Sequence, residues 1–238
     1  MKKGKLYLIP VIIAEGTADD VILPQVKEIV KNTNHFLVEN IRTARRFIST
    51  LKTGKVIEDI HFEVLDKKTV EAKIKSFLNP ILSGNDMGIM SEAGCPGIAD
   101  PGSKAVLLAH QLGIQVIPLV GPSSIFLALM ASGFNGQKFK FHGYLPIDKG
   151  ERVKAIKQLE KESQQHNQTQ IFMDTPYRNN QLLEDLLKNC SKSTLLCIAK
   201  DITGADEFIK TRSMAEWKNT IPDLHKIPVI FVLYGGGN

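Results

Sequence analysis

The feature that most restricts the fold is a repeated alternation in the first half of the chain. Short apolar runs take turns with segments of helical periodicity. "KLYLIPVII", "HFLVEN", "FEVLD", "DMGIMSE" and "IQVIPLVGPSS" read as strands. Between and after them, "VILPQVKEIVKNT", "IRTARRFISTL", "TVEAKIKSFLNPIL" (helical until Pro80), "SKAVLLAHQLG" and "SIFLALMASGF" read as helices. Strand runs without polar alternation are buried on both faces, and strands that alternate with helices form a mainly parallel sheet covered on both sides.

The second half changes character. "FKFHGYLP" reads as an alternating strand, "GERVKAIKQLEKESQQHN" as a strongly charged surface helix and "TQIFMDTP" as a strand. "YRNNQLLEDLLKNC" follows as a helix, then "TLLCIAKDIT" and "PVIFVLYGGG" as strands, with a frayed "GGGN" end. The expectation is α/β with two α/β domains, the second built on a mixed sheet. The boundary is placed so that residues 1–120 form the N-terminal domain and 121–238 the C-terminal one.

Composition narrows the function classes. With 43% hydrophobic and 23% charged residues in 238, the chain has the material for a large core and is no disordered tail. Its formal net charge of +5 suits a polyanionic partner such as RNA without requiring one. Cys95, Cys190 and Cys197 form no C-x-x-C pair and cannot all be bridged, which implies a reducing, cytoplasmic setting. In the basic, apolar N-terminus, Pro10 and Glu15 interrupt what a signal peptide would need, and no run reaches the ~20 residues of a membrane span. His35, His61, His110, His142, His166 and His225 are scattered without metal spacing, so no metal is expected. The glycine signatures of dinucleotide, P-loop and hydrolase sites are absent.

Three breaker-rich segments fall at the ends of the predicted parallel strands: Pro10 onward, Met90–Gly102 and Val120–Ser124. Ligands of open parallel sheets bind outside the carboxyl ends of the strands, so three loops there mark a candidate site. Arg42, Arg45 and Arg46 in "RTARR" cluster on one helix, a pattern that serves phosphate contact or a solvated face equally well.

Taken together, these motifs resemble the tetrapyrrole methylase superfamily, and within it the branch that methylates a ribose 2′-hydroxyl of a cytidine in small-subunit ribosomal RNA. The family's S-D-A-G-T-P-G-I-S-D-P-G stands here as "SEAGCPGIADPG", and P-G-P-S-A with its small-residue helix as "VGPSSIFLALMASGF". "FKFHGYLP", "DTPYR", "AKDIT" with "DEF", and "ENIRTA" match further family motifs, in family order from Glu39 to Phe208. The resemblance implies S-adenosylmethionine in a cleft between two domains, usually in a homodimer. It assigns Pro10, Ala93, Gly94, Cys95, Ile98, Ser123, Ser124, Met173 and Ile202 to the cofactor. Arg42 and Arg178 are assigned to the substrate, because both match arginines of family motifs. The group that takes the hydroxyl proton stays open among Glu39, Arg42, Lys200, Asp201 and Glu207.

The chain also departs from the pattern. "IPVIIAEGTAD" replaces T-P-I-G-N-L-x-D, Asn40 stands for the aspartate of E-D-T-R, and "TGADEF" is one residue short and lacks a lysine and a histidine. The small C-terminal extension of the RNA enzymes is expected to be missing. The resemblance implies methyl transfer to ribosomal RNA, while these departures cluster on the acceptor side. The alternatives are a methylase of a tetrapyrrole or other small acceptor, and a pseudo-enzyme that only binds the cofactor.

Overall fold

The computed structural model describes residues 2–236, so the last two residues of the "GGGN" end lie outside the described residues. The chain divides into two compact units between Ser123 and Ser124. The first contains β1 (Lys5–Leu8), α1 (Ala18–Val21), α2 (Pro24–Asn32), β2 (His35–Val38), α3 (Ile41–Thr50) and β3 (His61–Val64). It continues with α4 (Glu71–Phe77), α5 (Asn79–Leu82), β4 (Met87–Met90), α6 (Gly102–Gln111) and β5 (Gln115–Pro118).

All pairings of the first sheet are parallel, in the order β3-β2-β4-β1-β5. Side-chain alternation sends successive strand residues to opposite cores. Ile9, Phe36, Val38 and Met90 pack with Val26, Val30, Ala44 and Phe47 from α2 and α3. Leu6, Leu37, Met87 and Ile89 pack with Ile74, Phe77, Ala105 and Leu108 from α4 and α6. Burial on both faces is why these strands read as continuous apolar runs. The neighbours β1 and β4 send the chain to opposite faces, and this makes a topological switch point at their carboxyl ends.

Two local expectations change. The strand expected over "KLYLIPVII" stops at Leu8 because Pro10 has no N–H to give a ladder. Pro80 does not end the helical segment: α4 stops at Phe77, and Pro80 sits in the first turn of α5, where its missing N–H would have had no partner.

The second unit contains α7 (Ser124–Ser132), β6 (Phe139–Tyr144), α8 (Lys149–His166), β7 (Thr169–Met173) and α9 (Asn179–Asn189). β8 (Leu195–Lys200), β9 (Phe208–Ser213), α10 (Met214–Trp217) and β10 (Val229–Tyr234) complete it. Its sheet, β6-β7-β10-β8-β9, is mixed as expected: β6 and β7 are parallel, the other pairs antiparallel. α8 and α9 cover one face through Ile156, Leu159, Leu182 and Leu186, and α7 covers the other through Ala128 and Leu129.

Three features of this unit differ from the sequence reading. β6 is an edge strand whose register shifts between Phe141 and Tyr144, and its side chains do not alternate between buried and exposed. β9 was not expected, since "FIKTRS" carries Lys210 and Arg212 and pairs on one edge only. α8 is charged outward, but Arg152, Ile156, Leu159 and Ser163 form a buried stripe at helical spacing.

Candidate active site

The loops leaving β1, β2, β4 and β5 meet at the carboxyl edge of the first sheet. The Val11 N–H donates to the Gly94 carbonyl at 2.9 Å, an isolated bridge between the β1 and β4 loops across the switch point. Gly94 has φ +68°, a left-handed conformation that side chains with a Cβ adopt at a cost of roughly 1–3 kcal/mol. The β5 loop closes the third side. A Cβ on Gly121 would lie 2.2 Å from the ring carbons of Pro10, so the two loops touch backbone to ring. The Cys95 thiol donates to the Pro122 carbonyl at 3.4 Å, and its half-burial pushes the pKa up, away from thiolate chemistry.

Asp100 organises the rest of "SEAGCPGIADPG". Its carboxylate accepts from the Gly97 N–H at 2.7 Å and the Gly102 N–H at 2.6 Å, which folds the loop back onto the start of α6. Burial raises the pKa of Asp100 in spite of these bonds. Among the described residues, the amides of Ala93 and Cys95 donate no hydrogen bond, while Gly94 is bridged to Val11. Ile98 stands exposed on the same loop. A turn that offers free amides, with a glycine where a Cβ would be strained, fits the carboxylate end of an amino-acid-like ligand such as S-adenosylmethionine.

Glu39, at the end of β2, accepts from the Glu92 N–H at 3.2 Å. Burial, followed by the nearby charges of Asp100 and Glu92, holds its pKa above the usual carboxylate range. Asn40 caps α3, its side-chain oxygen accepting from the Arg42 and Thr43 amides at 2.9 and 3.3 Å. Asparagine and aspartate cap about equally well, so the departure at this position keeps the start of α3 and removes one negative charge. The arginine cluster separates. Arg46 pairs with Glu15 at 3.0 Å, Arg45 stacks 5.7 Å over Phe62, and Arg42 is exposed without an ion pair among the described residues.

Beside the Val11–Gly94 bridge lies a pocket of about 270 Å3, lined by Val11–Gly16, by Thr43, Ala44, Arg46, Phe47 and Thr50 of α3, and by Ser91 and Glu92. Sequence reasoning marked the segments after Pro10 and over Met90–Gly102 and named Arg46, but did not bring them together as one pocket. Its residues come from three segments, and the part contributed by α3 carries no local signal apart from Arg46.

In the second unit, Met173 and Ile202 belong to one apolar cluster at the end of β7 and β8. Ile230 is paired with both Met173 and Ala199, which sets that row. Arg178 is turned inward onto Asp174, and buried Asp174 Oδ2 and Arg178 Nε find no hydrogen-bond partner among the described residues. Of the open candidates for a base, two are engaged in one turn: Asp201 accepts from the Asp206 N–H at 2.9 Å and Glu207 from the Thr203 N–H at 2.7 Å. Lys200 lies 5.7 Å over the Phe208 ring. Ser123 and Ser124 flank the division of the two units, and Ser124 opens α7.

No protein-family model matches the chain. A solved structure of the methyltransferase CobJ superposes with a TM-score of 0.64 over 97% of this chain and 94% of its own, at 14% identity, a likeness of fold. A Buchnera aphidicola protein described as ribosomal RNA small subunit methyltransferase I is 29% identical over 238 residues, 99% of this chain and 79% of the relative. A Thermotoga maritima protein of the same description is 30% identical over 185 residues, 78% of each chain. A fold shared with CobJ, a switch-point loop built of free amides and identity sustained over most of both sequences agree: the chain belongs to the ribosomal RNA small subunit methyltransferase I family, within the tetrapyrrole methylase superfamily.

Proposed function

We propose that this protein transfers a methyl group from S-adenosylmethionine to a ribose 2′-hydroxyl of small-subunit ribosomal RNA. The observation that carries the reading is the "SEAGCPGIADPG" segment, folded at the switch point into a turn with free Ala93 and Cys95 amides on either side of the bridged Gly94. These amides, with Pro10, Ile98 and the Ser123–Ser124 pair, are assigned to the amino-acid end of the cofactor. Met173 and Ile202 are assigned to the adenine, for which their shared apolar cluster is suited. The bound cofactor supplies a methyl group already made electrophilic by a sulfonium, so the protein's main tasks are alignment and exclusion of water. Glu39 is the candidate to take the hydroxyl proton, since a carboxylate of raised pKa is a stronger base and one held by the Glu92 N–H is oriented.

Labelled S-adenosylmethionine, incubated with the protein and small-subunit particles or RNA lacking the modification, tests this reading. Label should enter RNA at a single ribose, and no transfer to any ribosomal RNA would overturn it. In the same system Arg42→Ala should weaken RNA binding and lower the slope of log K against log salt by about one unit, with cofactor affinity unchanged. Arg45 and Arg46 are engaged with Phe62 and Glu15, which leaves Arg42 as the cleaner probe of phosphate contact. Arg178, paired with Asp174, is assigned a substrate role only if that pair opens.

Ribosomal RNA as acceptor supports a cytoplasmic setting. The three free cysteines suit that compartment, two of them buried and Cys190 pushed up to about 12 by burial and the charge of Glu160. No helix among the described residues is long and apolar enough to cross a membrane. A homodimer is supported by an apolar patch on the second unit. Phe126 and Met130, one turn apart on α7, are 48% and 77% exposed, and Phe126 meets Phe139 edge-on at 6.0 Å. Light scattering should give twice the chain mass for the wild type and the monomer mass for Phe126→Glu/Met130→Glu. A monomeric wild type would remove the dimer from this reading.

A further inference from the structure

The pocket between residues 11–16 and α3 has no role in holding the cofactor as assigned above, yet its position and lining are specific. One wall is Val11, whose N–H bonds Gly94, and its floor, Ser91 and Glu92, runs directly into Ala93. Val11, Ile12, Ile13, Ala44 and Phe47 make the walls apolar, and the Arg46–Glu15 ion pair belongs to the pocket's open side, with both partners well exposed. Among the described residues, the amides of Ile12 to Gly16 donate no hydrogen bond to the protein. Among the described residues, the Glu92 carboxylate receives only a long contact of 3.5 Å from the Thr43 hydroxyl. The pocket therefore combines apolar faces, free backbone donors and a free carboxylate acceptor, the set that recognises the edge of a heterocyclic base.

Size decides between occupants. At about 270 Å3 the pocket falls just below the ~300–1,000 Å3 range of drug-sized ligand sites, enough for a single planar base and far too small for a macrocycle. We propose that this pocket takes the nucleobase of the nucleotide being methylated, turned out of its stack, so that its own ribose is presented beside the Gly94 loop. The inference rests on the RNA reading above. In it, the free amides meet ring carbonyl oxygens, Glu92 accepts from an exocyclic amine, and Arg46 can exchange Glu15 for the adjoining phosphate.

The test uses the full-length protein and an RNA carrying a fluorescent base analogue at the labelled nucleotide. Binding to the wild type should raise the fluorescence by several-fold as the base leaves its stack. Ala14→Phe fills the pocket without touching the assigned cofactor residues. It should bind S-adenosylmethionine and RNA within about threefold of the wild type, since phosphate contacts carry most RNA affinity, while single-turnover methyl transfer falls by about 100-fold and the fluorescence rise is lost. Wild-type transfer without any fluorescence change would overturn the proposal, and this measurement does not depend on the variant folding. So would Ala14→Phe transferring methyl at the wild-type rate. A wild type that methylates no RNA would instead remove the RNA reading, and this inference with it.

Discussion

Replacing Asp185 by alanine should cost the protein about 3–5 kcal/mol of stability, since it leaves a buried guanidinium without its counter-charge. The side chains of Arg152 and Asp185 are only 2% and 5% exposed. Arg152 Nε and Nη2 both donate to Asp185 Oδ2, at 2.9 and 2.7 Å, and Nη1 donates to the Ile147 carbonyl at 2.8 Å. The pair ties the start of α8 to the middle of α9 over the core of the second unit. A loss of that size is a large share of the ~5–15 kcal/mol that typically separates folded from unfolded protein. Thermal unfolding should shift down by on the order of 10 °C. The double variant Arg152→Met/Asp185→Leu should recover most of the loss, because the cost lies in the unpaired charge rather than in the missing attraction. Calorimetry showing Asp185→Ala within about 1 kcal/mol of the wild type would contradict the burial argument.

The second large effect is expected at Gly121. A valine there would place its Cβ 2.2 Å from Pro10 Cβ and Cγ, and the pyrrolidine ring has no rotamer that moves it aside. The loops after β1 and β5 must separate. That separation also disturbs Val11, which bonds Gly94, and Pro122, which receives the Cys95 thiol. Overpacking of this kind costs about 1–3 kcal/mol of stability. The larger consequence falls on the cofactor loop. The affinity for S-adenosylmethionine or its demethylated product, read by titration calorimetry, should drop by about 100-fold, close to 3 kcal/mol of binding energy. Gly136→Ala serves as the control, since a Cβ there meets nothing within 4 Å, and it should bind as the wild type does. A folded Gly121→Val that keeps wild-type affinity would show that contact between the loops is not what shapes the cofactor turn.

The glycines explain why the sequence was partly legible. A positive φ at Gly94 is a local property, and a local pattern of glycine and proline announces it. The same holds for strands such as "MGIM", whose burial on both faces is written in their composition. β9 was hidden because an edge strand needs only one partner and tolerates Lys210 and Arg212, so its residues carry neither an apolar run nor a clean alternation. Arg152 was hidden for a related reason: in one dimension a buried arginine looks like any other charge on a helix.

From its residues alone, the chain's class, its alternation of strands and helices, the parallel character of one sheet and the mixed character of the other, and its place among methyltransferases could be read. Each depends on periodicity or on contiguous motifs. The tertiary structure alone decided what each candidate group contacts. Asp201 and Glu207 accept from amides of their own turn, Arg45 and Arg46 face Phe62 and Glu15, and Glu39 accepts from the Glu92 N–H of a different loop. It also decided that residues 11–16, 43–50 and 91–92 enclose one pocket. Pockets and pairings of this kind join segments tens of residues apart. The side chains involved are ordinary in their local context and acquire a role only when the sheet order brings neighbouring loops together.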